Sequence, residues 1–79
     1  MRKEKTEGRD PLLMSFGLAI QKRRREMGIS QEEAAERAGV HRTYFADVER
    51  GSRNVGFKNV VAFARGLDVT PSDLFRKIR

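Results

Sequence analysis

Cysteine and tryptophan are absent from this 79-residue chain, and histidine and tyrosine occur once each. Without cysteine there is no disulfide framework and no thiolate metal site. His41, the single histidine, cannot alone build a zinc site or complete a Ser-His-Asp triad. No apolar run approaches the roughly 18 residues that a spanning helix needs, and no signal-peptide core opens the chain. These absences point to the cytoplasm. Paired carboxylates, a glycine-rich phosphate loop and a nucleophile–base arrangement are missing too, and so short a chain leaves little room for a pocket. The expectation is a protein that is not an enzyme and takes no cofactor or metal.

What is present is charge. Lys and Arg number 17 against 11 Asp and Glu, a net of +6, and 35% of the residues are charged. Hydrophobic residues, 38% of the total, suit a small helical bundle. A single domain of this size has a marginal core, so self-association would add useful stability. The sign of the charge favours an anionic partner, nucleic acid first. Its placement is uneven: +4 over residues 1–30, −2 over 31–50 and +4 over 51–79.

Residues 1–10, MRKEKTEGRD, hold no apolar residue after Met1 and no helical period. They read as a disordered tail. A basic arm along DNA is the other reading, and Glu4, Glu7 and Asp10 interrupt its charge. Asp10-Pro11 then opens a helix, a carboxylate cap followed by proline at the first position. Leu13, Phe16, Ile20 and Met27 recur at helical spacing up to the stop at Gly28. Lys22, Arg23, Arg24 and Arg25 suit the C-terminal dipole, with Arg23 and Arg25 read as solvated. Arg24 differs. It falls four residues after Ile20 and three before Met27, on the apolar side, where a charge needs a partner.

The stretch Ser30 to Gly51, SQEEAAERAGVHRTYFADVERG, reads as two short helices across a tight turn. Ser30 and Glu33 have the spacing of a capping box. Ala34, Ala35 and Ala38 keep the first helix thin, Gly39 supplies the left-handed stop, and Val40 plugs the turn. The second helix runs from about Arg42 to Arg50, with Phe45, Val48 and Ala46 inward. Beyond a loop, Val60, Phe63, Ala64 and Leu67 stripe a helix over Phe57–Leu67, and Val61 widens its apolar face. Thr70 as N-cap, Pro71 and Asp73 start a last helix over about 71–78, edged by Leu74, Phe75 and Ile78. That apolar end completes the core or forms a seam between two copies.

The motif resembles the helix-turn-helix of the Xre family, the phage Cro/CI repressor type. The likeness rests on Gln31 opening the first helix, Ala35 at the crossing, Gly39 in the turn, Phe45 and Val48 as anchors, and Glu49-Arg50-Gly51 at the close. His41-Arg42-Thr43-Tyr44-Phe45 followed by Glu49 through Asn54 is similar to the controller proteins of restriction-modification systems. The resemblance covers about residues 13–75 and implies an all-α, compact five-helix, lambda-repressor-like DNA-binding domain. It also implies a salt bridge from Arg24 to Glu49, and dimerisation through the C-terminal end, with Val69, Phe75 and Ile78 as contacts.

The second motif helix would then enter the major groove, where each base pair displays a distinct donor and acceptor pattern. Arg42 can donate twice to guanine, and Thr43 can use its hydroxyl or pack its methyl on thymine. Asp47, one turn beyond Thr43, either accepts from cytosine N4 or orients Arg42 or Arg50. His41, where relatives often carry Ser, Thr or Asp, is a poorer cap than those and reads as an exposed cap-position side chain or a phosphate contact at acid pH. Gln31, at a helix N-terminus, is the leading phosphate contact. Tyr44 reaches phosphate or the sugar edge, and Arg53 and Asn54 meet the backbone or support the turn. The expected activity is that of a homodimeric transcription regulator on a pseudo-palindromic operator in double-stranded DNA, with RNA polymerase as a further partner and no membrane. A controller resemblance implies activation at one site, repression when a second fills, and timing of the endonuclease behind its methyltransferase. A phage-type repressor or antitoxin-like autoregulator of the same fold is the alternative, and a protein-interaction adaptor without DNA binding is the alternative from another class.

Overall fold

A computed structural model describes residues 10–76 and 78 of the chain. Five helices follow one another: α1 Pro11–Met27, α2 Gln31–Ala38, α3 Arg42–Glu49, α4 Phe57–Gly66 and α5 Pro71–Phe75. No strand occurs among the described residues, which gives the expected all-α, five-helix architecture. None of these helices is long and apolar enough to cross a membrane. The expected N-terminal tail lies outside the described residues, apart from Asp10.

The helix ends follow from local chemistry. Asp10 Oδ1 accepts from the Leu12 N–H at 2.8 Å, and Pro11 follows it. The Ser30 hydroxyl accepts from the Glu33 N–H at 3.0 Å, one half of the expected box. The reciprocal arrangement is recorded at α5, where Thr70 accepts from the Asp73 N–H and the Thr70 N–H donates to Asp73 Oδ2 at 2.9 Å. Gly39 takes φ 73 between α2 and α3, a left-handed turn that a Cβ would strain. α5 is shorter than the sequence suggests. It stops at Phe75, and of its residues only Leu74 is buried, so little packing extends it.

Packing is centred on Phe63 of α4, which is fully buried. Phe45 of α3 stacks on it with ring centroids 5.0 Å apart, and Tyr44 meets it edge-on at 6.1 Å. Phe16 of α1 closes from the other side at 6.5 Å. Ile20, Val48, Leu67 and the three alanines of α2 fill the remaining space. The alanines let α4 come close: a Cβ on Gly66 would lie 2.8 Å from the Ala38 nitrogen. Val61 is half-buried, in keeping with a widened apolar face, whereas Phe57 at the start of α4 is 80% exposed.

Arg23 departs from its expected solvated role. Its Nε donates to the Leu67 carbonyl at 2.8 Å, and Arg37 Nε donates to the Gly66 carbonyl at 2.6 Å. Two arginines from α1 and α2 thus satisfy carbonyls that the end of α4 leaves open. They also bring positive charge to its negative pole.

α1 passes so close to the end of α3 that a Cβ on Gly17 would come within 2.5 Å of the Val48 carbonyl oxygen. Alanine is about 1 kcal/mol better than glycine within a helix, but overpacking against rigid backbone costs about 1–3 kcal/mol. Gly17→Ala is therefore expected to destabilise the fold by up to about 2 kcal/mol, read as a lower urea midpoint. A midpoint at or above the parent's would refute the close approach. At α5, the Thr70 backbone N–H, with a smaller contribution from its side chain, holds the Asp73 carboxyl below its ordinary range. A depressed carboxylate stabilises fully above its unfolded pKa and loses that contribution as pH falls through the folded value. The parent should therefore lose stability more steeply than Asp73→Asn below about pH 4, as seen in chemical denaturation across pH.

Candidate nucleic-acid interface

α3 is anchored on one side and free on the other. Phe45 and Val48 are buried, 0% and 1% exposed, and Glu49 beside them is 5% exposed. His41, Arg42 and Thr43, at its N-terminal end, are exposed. Arg42 makes no side-chain bond among the described residues, so its guanidinium is available to a ligand. His41 proves to be a working cap. Its Nδ1 accepts from the Thr43 N–H at 3.1 Å, with backbone dihedrals in the extended region. An accepting Nδ1 is unprotonated, so in the neutral ring the proton sits on Nε2. The imidazole thus takes the place of a shorter Ser or Asp oxygen, for which its own shape gives no obvious sequence signal.

The C-terminal end of α3 is locked by charge. Arg24 Nε donates to Glu49 Oε2 at 2.5 Å, Nη2 to Oε1 at 3.3 Å, and Nη1 to the Ile29 carbonyl at 2.9 Å. The expected salt bridge is present, and it is nearly sealed: the Arg24 and Glu49 side chains are 13% and 1% exposed. Gln31 joins it, its Nε2 donating to Glu49 Oε1 at 2.9 Å. The residue expected to hold phosphate therefore also serves the internal network, and one N–H and the carbonyl oxygen of its amide remain for other contacts.

Beside the first turn, Tyr44 is half-buried. Its hydroxyl accepts from Asn59 Nδ2 at 3.0 Å, which keeps its own proton available for donation. The Arg53 guanidinium lies over the Tyr44 ring at 4.9 Å from the centroid. Asp47 pairs with Arg50 through Oδ1 and with Arg53 Nη1 through Oδ2 at 3.7 Å. Of the two readings open for Asp47, this is the orienting geometry, with Arg53 as an additional partner. Asn54 Oδ1 accepts from the Val55 N–H at 2.8 Å, supporting the loop.

The residues expected at a seam divide. Phe75 and Ile78 line an apolar groove with Leu12, Leu13, Val55 and Val60. Val69 lies elsewhere, lining a mixed-charge groove with Lys22, Arg23 and Asp73. Leu13, which its spacing places on the core face of α1, lines this surface groove instead, together with Leu12. Leu12 at 53% and Phe75 at 45% exposure are among the large apolar side chains left open.

An anchored helix presented across a left-handed turn defines a helix-turn-helix protein, and the helix-turn-helix family (HTH_3) matches residues 20–74. Control protein C.BamHI of Bacillus amyloliquefaciens is 40% identical over 60 residues, which span 75% of this chain and 74% of that protein. The crystal structure of the restriction-modification controller protein C.AhdI from Aeromonas hydrophila superposes with a TM-score of 0.78 at 41% identity, covering 80% of this chain and 96% of that one. The controller protein C.Esp1396I, solved as a tetramer in complex with its natural 35 base-pair operator, gives a TM-score of 0.79 at 34% identity, covering 85% of this chain and 88% of that one. This chain belongs to the controller proteins of restriction-modification systems.

The locked end of α3 sets a stability prediction. Glu49→Ala strips a nearly buried guanidinium of its counter-charge, and breaking such a pair costs about 3–5 kcal/mol. Removing both charges in Arg24→Met with Glu49→Leu avoids the orphaned cation. The double variant should unfold at higher urea than Glu49→Ala alone. The opposite order would mean that Arg24 finds solvent when its partner is lost.

Proposed function

We propose that two copies of this chain bind an inverted repeat in duplex DNA and regulate transcription of a restriction-modification system from that site. The observation that carries this reading is the exposed first turn of α3, with Arg42 unengaged among the described residues and Thr43 beside it, on a helix whose opposite face is immobilised by Phe45, Val48 and Glu49. Arg42 donates to guanine O6 and N7, and Thr43 meets the neighbouring base. Gln31, Tyr44, Arg53 and Asn54 supply backbone contacts, which fix register and carry no sequence information directly. Support for the second copy comes from the apolar groove of Leu12, Leu13, Phe75 and Ile78, and from the tetramer on an operator formed by C.Esp1396I. A two-fold arrangement sets two reading helices roughly 34 Å apart, one turn of the duplex. Bound beside a promoter, such a dimer recruits polymerase; bound across it, the dimer excludes polymerase. The chain acts as a regulator in the cytoplasm, without a catalytic step.

Selection from random duplex DNA at fixed moderate salt tests the reading. The expected product is an enriched inverted repeat. Binding without enrichment would leave only the salt-sensitive phosphate term, and no binding would favour a protein-interaction adaptor. Arg42→Ala should weaken binding to the selected repeat by about 1–3 kcal/mol and relax preference at one position of each half-site. A uniform loss across all sequences would instead make Arg42 a phosphate contact.

A further inference from the structure

Asp47 is a carboxylate on the face of α3 that bears Thr43, in a region where DNA phosphates would crowd. Left alone there, it would repel them. Yet both of its oxygens are engaged, Oδ1 by Arg50 and Oδ2 by Arg53, and its side chain is only 20% exposed. Ser52 ties the same residue from behind: its hydroxyl and its backbone N–H each reach the Asp47 carbonyl at 3.0 Å. The guanidinium of Arg53 is held from a second direction by the Tyr44 ring, and the Tyr44 hydroxyl is fixed in turn by Asn59 of α4. The result is a chain of contacts from the core to a surface arginine in the loop after α3.

From this geometry we infer that Asp47 is a positioning residue. It reads no base, but holds Arg53 in place for the DNA backbone before DNA arrives. The inference rests on the DNA-binding reading above and deepens it. A free arginine side chain samples many rotamers, and ordering it on binding lowers affinity. Carboxylate and ring together lower that cost for Arg53. A cytosine-reading Asp47 would have to give up one or both guanidinium groups to reach N4, leaving them to be re-ordered elsewhere.

The sign of the effect separates positioning from simple charge. Deleting a carboxylate from a DNA-facing surface strengthens binding through the phosphate term. Deleting a positioning carboxylate weakens it. For Asp47→Ala we expect about a fivefold loss of affinity for the selected repeat, with the selected sequence unchanged. Arg53→Ala should lose roughly tenfold, and adding Asp47→Ala to it should change affinity by less than about twofold, because neighbours acting through one contact are not additive. An altered base at one position, affinity equal to or above the parent's, or a fivefold loss that persists in the Arg53→Ala background would each overturn the inference.

A second measurement needs no DNA. Proton NMR of the parent should show the Arg53 side-chain signals shifted upfield by the Tyr44 ring. In Asp47→Ala that shift should collapse, while the Phe45 and Phe63 signals stay put and report an intact core. Unshifted Arg53 signals in the parent, or a shift that survives in the variant, would refute the holding role. Failure of the DNA-binding reading itself would appear differently, as a parent that enriches no repeat while the NMR shift remains.

Discussion

The Glu49 carboxylate is the interaction on which the rest of the arrangement depends. A carboxylate with a side chain 1% exposed is costly to bury unless its lone pairs are met. Arg24 from α1 and Gln31 from α2 meet them, and Arg24 also reaches the Ile29 carbonyl that precedes α2. One charge therefore fixes the end of α1, the start of α2 and the end of α3 relative to one another. Gly17 makes the geometry attainable by letting α1 lie directly on the last carbonyls of α3. Buried ion pairs of this kind often stabilise no better than well-packed apolar residues of similar volume. The benefit here is angular. With its far end clamped, α3 can project its first turn outward without support from a ligand.

Much of this frame was legible in the sequence because helix boundaries are written locally. Asp10-Pro11, Gly28, Ser30, Gly39 and Thr70-Pro71 each act within a few residues of themselves, and each marks an end where one occurs. The position of Arg24 on the apolar side of α1 signalled a partner, and the family resemblance named it. Long-range side-chain bonds to backbone were not legible. Arg23 and Leu67 are 44 residues apart, Arg37 and Gly66 are 29 apart, and neither pair leaves any periodicity. The roles of Gly17 and Gly66 were hidden for a related reason. A glycine within a helix lowers propensity in the same way whether or not another backbone lies against it, so only the packing reveals its use. His41 is the exposed cap residue that its position implies, and its Nδ1 does the capping because what matters is an acceptor at the right reach.

The candidate interface divides along the same line. Arg42 and Thr43 could be picked out because the first turn of a reading helix is determined by its caps and its buried period. Which surface arginines are held in place, and by what, depends on where the loop after α3 returns, and the sequence of Ser52-Arg53-Asn54 does not contain that. The same holds for the groove at Phe75 and Ile78. Its opposite wall is α1, more than fifty residues earlier in the chain, so α5 alone gave a seam without its other lining residues.

Charge makes the same point in a form that bears on function. Residues 31–50 sum to −2 inside a chain of +6, which on its face argues against a DNA-reading segment. The sum misleads because it ignores where each carboxylate goes. Glu49 is buried and bound to Arg24, and Asp47 is bound to Arg50 and Arg53. The remaining acids, Glu32, Glu33 and Glu36, are exposed on α2, the first two in its opening turn where the helix dipole favours them. None of these three sits on α3. Once pairing and burial are counted, α3 and the loop behind it present arginine outward, and the acidic total describes a neighbouring helix.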